Sequence, residues 1–105
     1  MNPSLEESVL LDLNSPVFQK QFFSLEKDQA WAVFKALKKL TAMKWSQVHR
    51  DSGLKWEAIS SRKGPHGQRL YTFRISQGFR GVACREDAWL RVLSLHPDHD
   101  SAYRL

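Results

Sequence analysis

The sequence lacks long apolar runs and a basic leader, and it has a single cysteine. Cys84 is the one cysteine among 105 residues, so the chain cannot form an internal disulfide. No apolar run approaches the roughly 20 residues that a membrane-spanning helix needs. The first residues, MNPSLEESVLLDL, are acidic where a secretory signal peptide is basic. These features predict a cytoplasmic protein that has no membrane partner.

Internal repeats, low-complexity tracts and linkers are also missing. Apolar residues make up 42% of the chain, and four Trp and six Phe supply bulky core material. The charged fraction of 26% is ordinary and argues against wholesale disorder. We therefore expect one domain over residues 1–105 with a hydrophobic core.

Positive charge is concentrated in the second half of the chain, and the net charge is +5. Residues 1–54 carry seven Lys/Arg against six Asp/Glu, whereas residues 55–105 carry nine against five. Most of the later basic residues are arginines, whose planar fork suits phosphate. The charge predicts a polyanionic partner or, alternatively, serves solubility alone.

The first half, residues 5–53, has helical spacing. Ser15 is a candidate N-cap, with Pro16 at the first helical position. From Leu25 onward, apolar residues recur at three- and four-residue intervals, namely Ala30, Trp31, Val33, Phe34, Leu37 and Leu40. A further short helix, KWSQVHRDSG, is expected to stop at Gly53. The first dozen residues show no convincing strand.

The second half, about residues 55–97, has strand-like spacing. We expect about four strands, within the stretches KWEAIS, RLYTFRIS, FRGVACR and AWLRVLSL. Alternation places Tyr71, Phe73 and Ile75 on one face and Leu70, Thr72 and Arg74 on the other. The last strand is apolar on both faces, which predicts a position inside the sheet. The fold class is therefore α+β, with N-terminal helices packed on one face of a C-terminal antiparallel sheet.

The segment LYTFRISQGFRGVACREDAWLRVLSLHPDHDSAY resembles the RelE/ParE superfamily of bacterial toxins from toxin–antitoxin pairs. The similarity lies in a strand from Tyr71 to Ile75, the pair Phe79–Arg80 opening the next strand, an apolar strand from Leu90 to Leu95, and a final group of His99, Asp100, Ala102, Tyr103 and Arg104. The order of helices and strands also agrees. Many members open with a strand, which we do not expect here.

This resemblance implies a toxin that is neutralised by a cognate antitoxin. RelE-like members cleave mRNA without a metal, commonly on the ribosome, so we expect an endoribonuclease that needs no cofactor. Two alternatives stay open. The chain resembles ParE-like toxins as well, which inhibit DNA gyrase without cleaving anything. It also ends two residues after Tyr103 without the helix that many members have, which keeps open an inactive relic that binds RNA or protein.

Cleavage of this kind needs a base, a cation for the phosphorane and an acid for the leaving oxygen. The candidate catalytic residues are Arg74 and Arg80 for the phosphate, His99 as acid or base, and Tyr103 for stacking or proton transfer. The candidate RNA-binding residues are Lys55, Arg62, Lys63, Arg69 and His96.

Each candidate also has a structural interpretation. Arg74 and Arg80 are alternatively exposed strand residues paired with Glu86 or Asp87. The HPDHD segment alternatively shapes a turn, and Tyr103 covers the core. A metal site there lacks a distant ligand, so we expect none. Cys84 is expected to be buried and unreactive. The four tryptophans are expected in the core; for Trp56, beside Lys55 at the first strand, a base-stacking role is the alternative.

Overall fold

The structure, a computed structural model, describes residues 6–98, which form three helices and five strands. In chain order these are β1 (Leu10–Asp12), α1 (Pro16–Phe22), α2 (Lys27–Thr41), α3 (Trp45–Arg50), β2 (Glu57–Lys63), β3 (Arg69–Ser76), β4 (Phe79–Glu86) and β5 (Trp89–His96). The sheet order is β1-β5-β4-β3-β2. Neighbouring strands are antiparallel except β1, which runs parallel to β5. The α+β class is confirmed, with one strand more than expected.

The additional strand is β1, so the expectation that no strand precedes the helices was wrong. Leu10 pairs with Trp89, and Arg91 Nε lies 2.7 Å from Asp12 Oδ2 on the neighbouring strand. Three residues are too few to display a period-two pattern, which is why the sequence concealed this strand. With β1 on one side and β4 on the other, β5 lies inside the sheet as its apolar character predicted.

Helix α1 begins as predicted and is tied to β5. Pro16 occupies the first turn, and the Ser15 side chain accepts a hydrogen bond from Phe18 N at 3.4 Å. Ser15 Oγ also donates to Leu93 O at 3.1 Å, and Gln21 Oε1 accepts from Leu95 N at 2.7 Å. These two contacts fix the helix against the strand that carries His96.

The end of α3 differs from the prediction. The helix ends at Arg50 with Asp51 as its C-cap, and the Asp51 carboxylate accepts a hydrogen bond from Leu54 N at 2.8 Å. An aspartate that satisfies a following backbone N–H stops the helix two residues before Gly53. No helix within residues 6–98 is long and apolar enough to cross a membrane.

The main core lies between the helices and one face of the sheet. It includes Val33, Leu40 and Trp45 from the helices and Phe73 and Val92 from the strands, all completely buried. Trp45 Nε1 donates to Ala88 O at 2.9 Å, so the one polar atom of this ring is satisfied.

A smaller cluster lies on the other face of the sheet. It contains Ile59, Leu70, Val82 and Cys84, all of them strand residues. Cys84 is buried as predicted, and burial raises the pKa of its thiol, so the reactive thiolate is disfavoured. We call this the helix-free face, because the helices described within residues 6–98 pack on the opposite side.

The tryptophans are only partly in the core. Trp45 is completely buried and Trp56 is half-buried against Tyr71, but Trp31 is 57% exposed and Trp89 is 48% exposed. The prediction that all four are core residues was therefore wrong for Trp31 and Trp89. Trp31 instead stacks on the exposed Phe34, with ring centroids 5.3 Å apart, on the outer surface of α2.

Candidate nucleic-acid interface

Three ionisable residues lie side by side across the helix-free face. Arg74 on β3 pairs with Arg80 on β4, and Arg80 pairs with His96 on β5. Directly paired residues point to the same face, with their Cβ atoms about 4.5–5.5 Å apart. We call Arg74, Arg80 and His96 the central row. Strand register thus brings together residues that lie 22 positions apart along the chain, from 74 to 96.

Arg80 is the most rigidly held member of the central row. It is only 9% exposed, and its Nη1 donates to Ser76 O at 3.0 Å and to Phe79 O at 3.2 Å. Among residues 6–98, neither Arg74 nor Arg80 forms an ion pair with Glu86 or Asp87. The alternative of two exposed arginines bound to those carboxylates is therefore wrong. Arg80 places a fixed positive charge beneath the surface, whereas Arg74 is half-buried.

His96 is buried at the end of β5, with 4% exposure. Its Nε2 lies 2.8 Å from Ser94 Oγ, and the direction of that hydrogen bond depends on the tautomer of the ring. Burial lowers the pKa of His96, and the positive charge of Arg62 lowers it further. The imidazole is therefore neutral at pH 7, so the permanent positive charges of the central row are those of its two arginines.

Arg62, on the edge strand β2, acts electrostatically on the central row. Its strand is separated from β5 by β4 and β3, yet its positive charge lowers the pKa of His96. The register of β2 shifts between Ala58 and Lys63, and Arg62 falls within this irregular stretch. Its Nε is buried without a hydrogen-bond partner among the described residues. A buried N–H of this kind is available to donate to a phosphate or other anionic ligand.

The other predicted RNA-binding lysines and arginines lie away from the central row. Lys63 and Arg69 pair next to the turn of the β2–β3 hairpin, and both are exposed. Lys55 is exposed before β2 and has a φ of +51°, in the left-handed region. The basic residues on this part of the molecule therefore form a central row with separate flanking groups at either end of β2.

Two predicted catalytic residues, His99 and Tyr103, lie outside residues 6–98, so the structure does not describe them. Their assignment stays a prediction. Among the described residues, no three His, Cys, Asp or Glu side chains form a group suited to a metal ion.

Sequence reasoning missed Ser94 and two lysines of α2. Ser94 is buried on β5, where it pairs with Val82 and lies two residues before His96. The strand register places it beside the central row. Lys35 and Lys39 are exposed on α2 and line a cavity together with Arg74. Their spacing of four residues on one helix was the available signal.

The sheet topology and the position of the helices indicate the fold class of this protein. A mostly antiparallel sheet, with helices on one face and arginines in register on the other, is the arrangement that the RelE/ParE resemblance implied. The fold is that of RelE-type toxins.

Among solved structures, one from an archaeon supports this fold assignment, and a second is similar to this chain. A chain of the archaeal RelE–RelB complex from Pyrococcus horikoshii OT3 superposes with a TM-score of 0.59 and 17% identity, over 87% of this chain and 96% of that chain. The YoeB dimer from Staphylococcus aureus superposes with a TM-score of 0.49 and 16% identity, over 86% of this chain and 97% of that chain. No family model and no curated protein matches the sequence.

Proposed function

We propose that this protein is the toxin of a toxin–antitoxin pair and that it acts as a metal-independent endoribonuclease on mRNA. The observation that carries the proposal is the central row of Arg74, Arg80 and His96, in register on the helix-free face, with Arg62 beside it. Two fixed cations on adjacent strands suit a phosphodiester, whose negative charge increases in the transition state. The RelE-type fold supports the assignment by analogy.

The chemistry we propose is attack by the RNA 2′-hydroxyl on the adjacent phosphorus. A base removes the hydroxyl proton, the P–O5′ bond breaks, and an acid returns a proton to the 5′ oxygen. The products are a 2′,3′-cyclic phosphate and a free 5′-hydroxyl. This reaction needs no oxidant, reductant or cofactor.

The described cationic residues have different roles at the phosphate, which follow from their exposure. Arg74 and Arg62 are half-buried and contact the phosphate directly. Arg80 is buried, and two backbone carbonyls fix its guanidinium, which reduces the reorganisation required during the reaction. His96 is a positioning residue: its neutral ring packs beside Arg80 and binds Ser94. The proton-transfer groups in this proposal are His99 and Tyr103.

The partner we propose is an antitoxin protein that covers an aromatic patch on the helical side. This patch consists of Phe23, Trp31 and Phe34, which are 82%, 57% and 49% exposed. Beside it, a cavity of about 430 Å³ between α1 and α2 is lined mainly by apolar residues, including Phe22 and Leu37. Large exposed apolar patches mark protein interfaces. The Pyrococcus relative was crystallised as a RelE–RelB complex, which agrees with this partner class.

The decisive experiment is a cleavage assay with Arg74→Ala, on free RNA and on message engaged by ribosomes. Loss of one preorganised donor to the transition state is expected to reduce the rate about 10²–10³-fold. Arg50→Ala is the matched control, because Arg50 is an exposed arginine on α3 whose Nε donates to Ser46 O within the same helix. Activity on ribosomes alone establishes ribosome dependence. Equal activity of both variants contradicts the proposed site.

Induced expression in a bacterium separates cleavage from the alternative of gyrase inhibition. Message abundance and plasmid supercoiling are followed in the same culture. Rapid loss of message with normal supercoiling supports the nuclease. Altered supercoiling with intact message supports a ParE-like toxin, and no change in either supports an inactive relic of the fold.

A further inference from the structure

We propose that a cavity between α2 and β3 binds one backbone phosphate of RNA, apart from the phosphate at the central row. The inference rests on the proposed function and extends it, because it predicts a path along which the RNA leaves the sheet. The cavity measures about 290 Å³ and is lined by Lys35, Ala36, Lys39, Gly53, Leu54, Arg74 and Ile75. Three of these seven residues are cationic, and none is aromatic. Such a lining favours the sugar–phosphate backbone over a stacked base.

The two lysines reach the cavity because they lie one turn apart on α2. Residues separated by four positions project from the same side of a helix. Lys35 and Lys39 therefore form one wall, and Arg74 on β3 contributes the other. The Arg74 backbone N–H donates here to Leu54 O at 2.7 Å, whereas its side chain belongs to the central row, so the two lysines supply the cations of the cavity.

The cavity keeps a net positive charge despite one acidic neighbour. Lys39 Nζ lies 3.0 Å from Asp51 Oδ1, and this hydrogen bond lowers the pKa of Asp51, which stays ionised. The pair fixes the Lys39 ammonium at the cavity. Among residues 6–98, Lys35 and Arg74 form no ion pair. Two lysine charges against one aspartate charge leave a net charge of +1 at the cavity for an anionic ligand.

Gly53 keeps the space beside this ion pair open. A Cβ atom at position 53 would lie 3.3 Å from Asp51 Oδ1 and 3.5 Å from Lys39 Nζ. A Cβ atom would therefore be slightly too close to Asp51 Oδ1 and in ordinary contact with Lys39 Nζ. Glycine leaves room for a ligand atom at this point.

Arg74 connects the cavity to the central row. It pairs with Arg80 within the sheet and also lines the cavity. Its backbone N–H donates to Leu54 O at 2.7 Å, which joins β3 to the segment that carries Gly53 and Lys55. A strand of RNA lying on the central row would therefore pass Arg74 and place a neighbouring phosphate in the cavity.

The test measures RNA affinity as a function of salt, using a labelled oligonucleotide with 2′-O-methyl groups throughout so that it cannot be cleaved. Each phosphate contact on a single strand contributes about 0.7 to the slope of log affinity against log salt. Lys35→Gln is expected to reduce the magnitude of this slope by about 0.7. The matched control is Lys38→Gln, which removes an exposed lysine of the same helix that does not line the cavity.

A second arm locates the phosphate along the oligonucleotide. One linkage at a time is replaced by an uncharged methylphosphonate. We expect one position to weaken binding to the wild type and to Lys38→Gln, but to leave binding to Lys35→Gln unchanged, because the partner charge is already missing there.

A third arm distinguishes message from ribosomal RNA by co-sedimentation of each variant with ribosomes. A reduced slope on the oligonucleotide assigns the cavity to the substrate strand, and an effect of Lys35→Gln on ribosome binding alone assigns it to ribosomal RNA. Equal behaviour of Lys35→Gln and Lys38→Gln in all arms overturns the phosphate site. In that case the proposed nuclease still stands if Arg74→Ala abolishes cleavage, so the two failures are distinguishable.

Discussion

Among single residues, His96 links the chemistry of the central row to the stability of the fold. Burial and the charge of Arg62 lower its pKa below the ordinary value of 6.5. Above pH 6.5 the ring is neutral in both the folded and the unfolded chain. As the pH falls through 6.5, the unfolded chain binds a proton that the folded chain does not. The free energy of unfolding therefore decreases as the pH falls from 6.5 to the lowered pKa of His96 in the folded chain.

His96→Gln is expected to make this acid-side decrease shallower, because glutamine does not titrate. Urea unfolding between pH 7.5 and pH 5 measures the change. His66→Gln is the control, since His66 is exposed in the turn between β2 and β3. His49, whose pKa is also lowered by burial and by Arg85, retains its contribution in both variants. If the free energy of unfolding of His96→Gln falls with pH as steeply as that of the control, His96 is not the group that causes the decrease.

Between elements, the close packing of β3 and β4 depends on Gly81. It pairs with Phe73 across the strands, and a Cβ atom at position 81 would lie 2.4 Å from Cζ of the Phe73 ring. Phe73 is completely buried, so its ring has no room to move away. Gly81→Ala is therefore expected to destabilise the protein by about 1–3 kcal/mol.

Phe73→Leu is the matched second change, because it removes the ring that obstructs the new methyl group. The double variant is expected to lose less free energy of unfolding than the sum of the two single losses, by about 0.5–3 kcal/mol of coupling. Chemical denaturation of the four proteins measures this coupling. Additive losses would show that the strain arises elsewhere in the sheet.

Some helices and strands could be predicted from the sequence more completely than others. Strand β3 was predicted over the residues it occupies, because alternation from Leu70 to Ile75 is long enough to show both period and faces. Three-residue β1 has no such pattern, and its pairing with β5 depends on contacts across nearly 80 positions. In α2 the periodicity was correct, but it did not disclose that Trp31 and Phe34 lie outside the core.

The candidate site shows the same limit. Alternation within β3 placed Arg74 on the face opposite Phe73, and the hairpin connection then brings Arg80 opposite Arg74. The burial of Arg80 and the reach of Arg62 toward His96 depend on the twist, irregular register and side-chain packing of the whole sheet. Sequence spacing carries no information on such contacts between distant strands.

At the scale of the whole molecule, the central row and the aromatic patch lie on opposite sides of the sheet. The central row occupies the helix-free face, whereas the aromatic patch of Phe23, Trp31 and Phe34 is exposed on the helical side. Because the main core separates these surfaces, a substitution on one is expected to leave the chemistry of the other unchanged.

The double variant Trp31→Ser with Phe34→Ser is expected to weaken antitoxin binding by at least tenfold, because loss of one buried aromatic anchor typically costs about 2 kcal/mol or more. Its RNA cleavage is expected to stay within twofold of the wild type. Both side chains are exposed, so the melting temperature should change little. Arg74→Ala should show the reverse, with cleavage lost and antitoxin binding through the patch retained. The protein encoded by the neighbouring reading frame is the candidate antitoxin for this comparison, and it is titrated by calorimetry against each variant. If the doubly substituted patch binds the antitoxin as tightly as the wild type does, the helical side is not the docking surface, and the antitoxin must bind elsewhere.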